Sequence, residues 1–277
     1  MNLYKKTPPP KADIIPHYHL EHGNERVDNY YWLKDIKNPK VIDYLKKENR
    51  YYDQATKKTD DFKKKLYGEM RSRIKEEDTS VPYFFNGYWY ITRYEIGKEY
   101  PFYSRKKKTL DSEEEILFNC NDMAKDHQYF NLTGINVSPD NKKVAYAIDI
   151  LSRRKYTIYV KDLTSGKNLK TKLINTTGSS VWDSGNRFLF YSRKNKKTLR
   201  SETILRYDTF KDSEKKIFYE ADETFSVYVS LSKSRDYIYI SSYSTLTSEH
   251  RFISSNKPFD EFKIIESRTK GLEYDIF

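Results

Sequence analysis

A single cysteine, Cys120, rules out any internal disulfide, and a chain that does without cystines points to a reducing, cytoplasmic compartment. No apolar run approaches the roughly 18 residues that a membrane-spanning helix requires. Lys5 and Lys6 are followed by Pro8-Pro9-Pro10, where a secretory leader would continue into an apolar stretch, so no secretion signal is expected. Also missing are the Gly-x-Ser-x-Gly elbow of α/β-hydrolases, a glycine-rich phosphate loop and a His-Glu-x-x-His zinc motif. The nearest approach to the first, Gly178-Ser179-Ser180, runs on into Val181-Trp182 where the elbow needs a close-packing glycine. The motifs therefore assign no catalytic residue, no cofactor-binding residue and no metal ligand. They predict a scaffold that positions or gates chemistry carried elsewhere.

What the chain has in quantity is aromatic rings. Of its 277 residues 16% are aromatic, with 26 Tyr against 15 Phe and 3 Trp, so its apolar faces are built from rings that favour strands and keep a polar handle. Charged residues, 33% of the chain, are mixed in sign along its whole length, which fits solvated folded surfaces rather than a disordered polyelectrolyte. The net charge of +11 suits an acidic partner, a nucleic acid or an anionic surface. Scattered arginines and the lack of a zinc knuckle or RNA-reading aromatic motif argue against nucleic acid.

Two groups of residues invite a chemical reading. His17, His19 and His22 cluster near Glu21 and Glu25, and an extended segment would put His17 and His19 on one face, as a metal site could use. Ordinary polar or half-buried histidines explain the cluster equally, because no cysteine is near. Cys120 has no histidine beside it in sequence and reads as a buried, inert thiol rather than a nucleophile. The many carboxylates leave open a glycosidase-like pair, which sequence alone does not locate.

The first dozen residues have polyproline character. Asn38-Pro39 then supplies an N-cap and a proline at the first helical position, and Val41, Ile42, Leu45 and Tyr52 keep helical spacing, predicting a helix over about 39–55. A second helix follows, with Thr59 as its cap, Asp60 and Asp61 in its first turn, and Phe62, Leu66, Met70 and Ile74 in one apolar stripe. That stripe either packs within this chain or docks on a domain outside it.

From Thr79 the period changes to alternation. Tyr88–Thr92, Val144–Ile148, Tyr156–Val160, Phe188–Tyr191 and Tyr237–Ser241 are short aromatic and β-branched runs bounded by Asn-Gly, Ser-Pro-Asp-Asn and Ser-Gly turns, with no room for crossover helices. Val137–Tyr146 aligns with Val181–Phe190 at an offset of 44, and Ser232–Ile240 follows after a similar interval. A repeat of roughly 40 to 50 residues with about four strands is the mark of propeller blades. The expected fold is mainly β: a partial propeller of about four blades over 77–277, preceded by an arm and two-helix segment over 1–76. Tyr274-Asp275-Ile276-Phe277 reads as the start of a further strand, so the sequence is expected to be the first portion of a longer protein.

These segments resemble the prolyl oligopeptidase family of serine peptidases, in particular its oligopeptidase B branch, also called protease II. The resemblance starts at Pro8-Pro9-Pro10, Ile15-Pro16-His17 and Arg26-Val27-Asp28-Asn29-Tyr30-Tyr31-Trp32-Leu33-Lys34-Asp35. Asn29 and Lys34 depart there from the proline and the acid common in the family. It continues in order through Tyr44-Leu45, Ser80-Val81-Pro82-Tyr83, Gly87-Tyr88-Trp89-Tyr90, Val137-Ser138-Pro139-Asp140, Tyr156–Leu163 and Gly271-Leu272-Glu273-Tyr274, covering nearly the whole chain. The resemblance implies a seven-bladed propeller over a C-terminal α/β-hydrolase domain that holds the Ser, Asp and His of a triad, with the N-terminal helices packed on that domain. It implies hydrolysis of short peptides after Arg or Lys, with this chain inactive by itself. A standalone propeller-like module binding proteins or ligands is the competing expectation.

Overall fold

A computed structural model describes residues 8–277 and divides the chain into two compact units at Lys75/Glu76. The polyproline arm expected over the first dozen residues lies partly outside the described residues.

The first unit opens with an antiparallel hairpin, β1 (His17–Glu21) and β2 (Asn24–Asp28), pairing His17 with Asp28 and Glu21 with Asn24. Its two-residue turn is His22-Gly23, both at positive φ (53° and 79°), which matches the right-handed twist of the strands. A 3-10 turn, Tyr31–Lys34, leads to α1 (Pro39–Thr56), where the Asn38 side chain accepts the Lys40 N–H at 3.0 Å. The two helices are joined by a 3-10 turn, Lys57–Thr59, without a break, and α2 covers Asp60–Ser72. Thr59 consequently does not cap α2. Its backbone (φ −99°, ψ 3°) lies outside the extended region a cap needs, and its hydroxyl donates backwards to the Thr56 carbonyl at 2.7 Å.

The second unit contains three continuous antiparallel ladders, of five, seven and four strands, and the seven-stranded one divides at a shared strand, so that four sheets follow one another as blades. The first contains β3 (Asp78–Thr79), β4 (Tyr83–Phe85), β5 (Tyr88–Tyr94), β6 (Phe102–Lys107) and β7 (Glu114–Asn119). β3 and β4 both pair with β5 and act as one inner strand interrupted around Pro82, which has no N–H for the ladder. After the short α3 (Cys120–Ala124) come β8 (Asn131–Val137), β9 (Lys143–Asp149), β10 (Tyr156–Asp162) and β11 (Leu173–Trp182), then β12 (Phe188–Lys194), β13 (Ser201–Asp208) and β14 (Ser213–Tyr219). β15 (Ser226–Leu231), β16 (Tyr237–Tyr243), β17 (Ser248–Ser254) and β18 (Lys263–Ile264) complete the series. β11 serves two sheets. Its first half pairs with β10 (Leu173 with Ile158) and its second half with β12 (Trp182 with Leu189), the register shifting between Thr176 and Ser180.

Three cores lie between the four sheets, and alternation along each second strand divides its side chains between them. On β9, Val144 and Tyr146 face the first sheet, joining Tyr90, Leu117 and Phe118, while Ala145 and Ala147 face the third. On β12, Leu189 and Tyr191 point back to the second sheet and Phe188 and Phe190 forward to the fourth, where Ile238 and Ile240 meet them. This is a mainly β, partial propeller of four blades preceded by a two-helix segment.

The pairing corrects the repeat register. Val144 and Leu189 face the preceding blade, as do Tyr146 and Tyr191, so blades two and three repeat at 45 residues and not 44. A slip of one would send every side chain to the opposite face. The final residues also differ from expectation: Tyr274–Phe277 form no ladder. Tyr274 is held instead by side chains, donating its N–H to the Ser248 hydroxyl at 2.8 Å while its carbonyl lies 2.8 Å from the ring of the buried His250.

Candidate functional site

The predicted candidates do not converge. His17 and His19 share a face as alternation requires, but they use it for ring packing. His17 stacks on Tyr31 at 3.9 Å with the planes 5° apart, and His19 meets both rings edge-on at 4.7 Å. The Lys34 ammonium sits 3.5 Å from the Tyr31 ring, a cation where a metal ion would need anionic or neutral donors. His22 is in the hairpin turn, and no group of three metal-binding side chains occurs among the described residues. Cys120 is buried at 1% exposure, and burial pushes its thiol up to about 12, so it stays protonated and unreactive at neutral pH.

Gly178-Ser179-Ser180 lies inside β11, at the shift between two sheets. Gly178 adopts φ +96° and its N–H donates to the Thr176 hydroxyl at 3.1 Å. Gly134 of β8 (φ +63°) comes so close that a Cβ on it would stand 1.9 Å from the Gly178 carbonyl oxygen. These glycines let two inner strands converge, which is a packing role.

The best-organised polar geometry lies in the turns between the first two strands of each blade. In blades two, three and four the residue opening the turn makes the same bonds. Ser138, Asp183 and Ser232 donate backbone N–H to Lys143, Phe188 and Tyr237 carbonyls at 2.8, 2.9 and 2.9 Å. Their side-chain oxygens accept the N–H of those same residues at 3.0, 2.6 and 3.1 Å. Each turn then needs one left-handed residue: Asn141 (φ 61°), Asn186 (φ 60°) and Arg235 (φ 69°). Both asparagines also bridge to the preceding blade, Asn141 Nδ2 to the Asn86 carbonyl at 3.1 Å and Asn186 Oδ1 from the Asp140 N–H at 2.8 Å. Alongside these turns is a cleft of about 340 Å³, bounded by Pro139, Trp182, Leu231, Arg235, Asp236 and Asn256.

Elsewhere, several buried charges are paired. Arg105, 3% exposed, makes a forked contact with Glu115 and reaches the Asn141 carbonyl, tying blade one to blade two. Arg268 lies 3.7 Å from the Phe225 ring and joins the buried Glu220 and Glu249 at 2.7 and 3.2 Å. Paired charges of this kind fix the arrangement of strands.

The residues 10–277 match the model of the prolyl oligopeptidase N-terminal β-propeller domain, and the chain belongs to that family. Among curated relatives it is 32% identical to Protease 2 of Moraxella lacunata and 34% identical to dipeptidyl aminopeptidase BI of Pseudoxanthomonas mexicana, each over 96% of this chain. It spans only 40% and 39% of those relatives' lengths. Of solved structures, it is similar to oligopeptidase B from Leishmania major, with a TM-score of 0.88 and 27% identity over 97% of this chain and 41% of that one. Oligopeptidase B from Trypanosoma brucei gives a TM-score of 0.85 at 25% identity, over 94% of this chain and 39% of that one. The matched residues therefore correspond to the N-terminal propeller portion of such peptidases.

Proposed function

We propose that this chain is the gating and scaffold portion of an oligopeptidase B-like serine peptidase that hydrolyses short peptides after Arg or Lys. The observation that carries the reading is the continuous match of residues 10–277 to the propeller domain of a peptidase family, in a chain spanning about 40% of its curated relatives. Acyl transfer by an activated serine belongs on this reading to an α/β-hydrolase domain outside the 277 residues. The propeller contributes exclusion, since only short or flexible peptides reach a chamber that it covers.

Residues 1–76 serve in this reading as the segment that packs on the hydrolase domain, and 77–277 as the incomplete propeller. The stripe of Phe62, Leu66, Met70 and Ile74 supports this, because all four side chains are exposed. No helix among the described residues is long and apolar enough to cross a membrane. A cytoplasmic location belongs to the same reading, supported by the lone, buried free thiol.

The test is to incubate the purified chain, alone and mixed with a separately produced hydrolase portion, with fluorogenic peptides ending in Arg or Lys and with dipeptidyl substrates. The reading predicts no serine-inhibitor-sensitive turnover alone and turnover after Arg or Lys in the mixture. Turnover by the chain alone contradicts it, and turnover restricted to dipeptidyl release would replace the endopeptidase assignment.

A further inference from the structure

Arg235 breaks the pattern set by its two counterparts. The left-handed backbone position suits asparagine, whose short amide bonds locally, and is unfavourable for a long side chain with an ordinary Cβ. Asn141 and Asn186 occupy it at similar φ and use their amides to bridge to the preceding turn. Arg235 makes no such bridge. At these turns blades three and four are linked instead by Ser255, whose carbonyl accepts the Ser184 N–H at 3.0 Å and whose hydroxyl donates to the Arg235 carbonyl at 2.7 Å.

The guanidinium is thus released from the structural task of its position. It lies over the Phe85 ring of blade one, 4.7 Å from the centroid, and among the described residues its hydrogens have no hydrogen-bond or ion-pair partner. Other buried or half-buried arginines here are in use, Arg105 on Glu115, Arg187 on Asp208, Arg193 on Glu214 and Arg268 on Glu220. A guanidinium seated on an aromatic face with its forked edge open is suited to a carboxylate. Arg235 also lines the 340 Å³ cleft, whose wall carries the apolar Pro139, Trp182 and Leu231 and the Asn256 amide. Asp236 on the same rim disfavours a multiply charged anion, which leaves a single carboxylate as the fitting charge.

We propose that Arg235, resting on Phe85, is the recognition residue of a peptide-carboxylate site in the cleft beside Trp182. The cost of an arginine at φ 69° is retained for ligand recognition, since the same turn forms twice with asparagine, which tolerates that conformation better. The choice of peptides as the carboxylate source rests on the peptidase reading. The site itself lies within this chain, so absent binding beside intact peptidase activity of the reassembled enzyme would count against the site alone.

The test is titration calorimetry, with tryptophan fluorescence alongside, using three probes: N-acetylated tri-alanine with a free carboxylate, its C-terminal amide, and an N-acetylated amide carrying one internal glutamate. Either carboxylate-bearing probe should bind roughly tenfold or more tightly than the neutral amide. The pair distinguishes a terminal from a side-chain carboxylate. Arg235→Asn should abolish that preference while leaving the melting temperature equal or higher, and Arg235→Gln should abolish it with the turn strain kept. Equal binding of acid and amide, no binding of any probe, or a preference that survives both substitutions overturns the proposal. So does a clear fall in melting temperature for Arg235→Asn, which would make the arginine a structural residue.

Discussion

Replacing Gly134 with alanine tests whether the inner strands of blades two and three converge as closely as described. The added Cβ would meet the Gly178 carbonyl oxygen at 1.9 Å, and φ +63° would remain. Gly87 is the control: it has φ +83° and nothing within 4 Å of an added Cβ. Both substitutions incur the cost of a left-handed alanine, about 1–2 kcal/mol. Only Gly134→Ala must also push apart two backbones, and overpacking of that kind costs about 1–3 kcal/mol or more. The gap between the variants should be ~2–3 kcal/mol, which in a domain of this size is about 4–12 °C in melting temperature. Urea unfolding followed by far-ultraviolet circular dichroism, with thermal melts, measures it. Equal destabilisation by the two alanines would refute the close approach and with it the description of β11 as a strand shared by two sheets.

Other expectations follow from individual groups. The Cys120 thiol, raised by burial from 9.0 to about 12, should react with a thiol reagent at pH 8 on the order of 10³-fold more slowly in the folded chain than in the unfolded one; equal rates would contradict its burial. Asp208 is held down to about 2, chiefly by its hydrogen bond from Arg187 and further by backbone N–H groups of Phe210 and Lys211. Its folded value is depressed, so its contribution is complete above its ordinary value near 3.8 and is lost as pH falls towards 2. The stability deficit of Asp208→Asn should accordingly be largest near neutrality and shrink across that window, and a deficit independent of pH would disprove the pairing. Leu66→Ser with Met70→Ser on the exposed stripe should change the stability of the chain by no more than about 0.5 kcal/mol per site in a thermal melt. A larger loss would mean that the stripe is buried within this chain.

The helices were legible because their signals are local. Asn38-Pro39 marks the start of α1 in sequence and structure alike, and a four-residue spacing set the stripe of α2. Thr59 misled because a capping residue looks the same whether the preceding helix stops or, as here, runs on through a 3-10 turn. The strands were legible as strands but not in register. β9 and β12 lie between two cores and are buried on both faces, so their apolar runs match each other equally well at 44 or 45 residues. The register is set by the turn-opening side chains Ser138, Asp183 and Ser232, a serine, an aspartate and a serine that perform one task without being identical. His22-Gly23 forms a hairpin turn, a role that a histidine in a left-handed conformation does not advertise in sequence. Arg235 carried no sequence signal by itself, because it stands out only once Asn141 and Asn186 are known to share its position.

The central claim, that this chain shapes a peptidase without supplying its nucleophile, is tested most directly by intact-mass measurement after treatment with a fluorophosphonate that labels activated serines. The account predicts the unmodified mass for this chain and, in a mixture with the hydrolase portion, one adduct on that partner alone. A stoichiometric adduct on a serine among these 277 residues would contradict it.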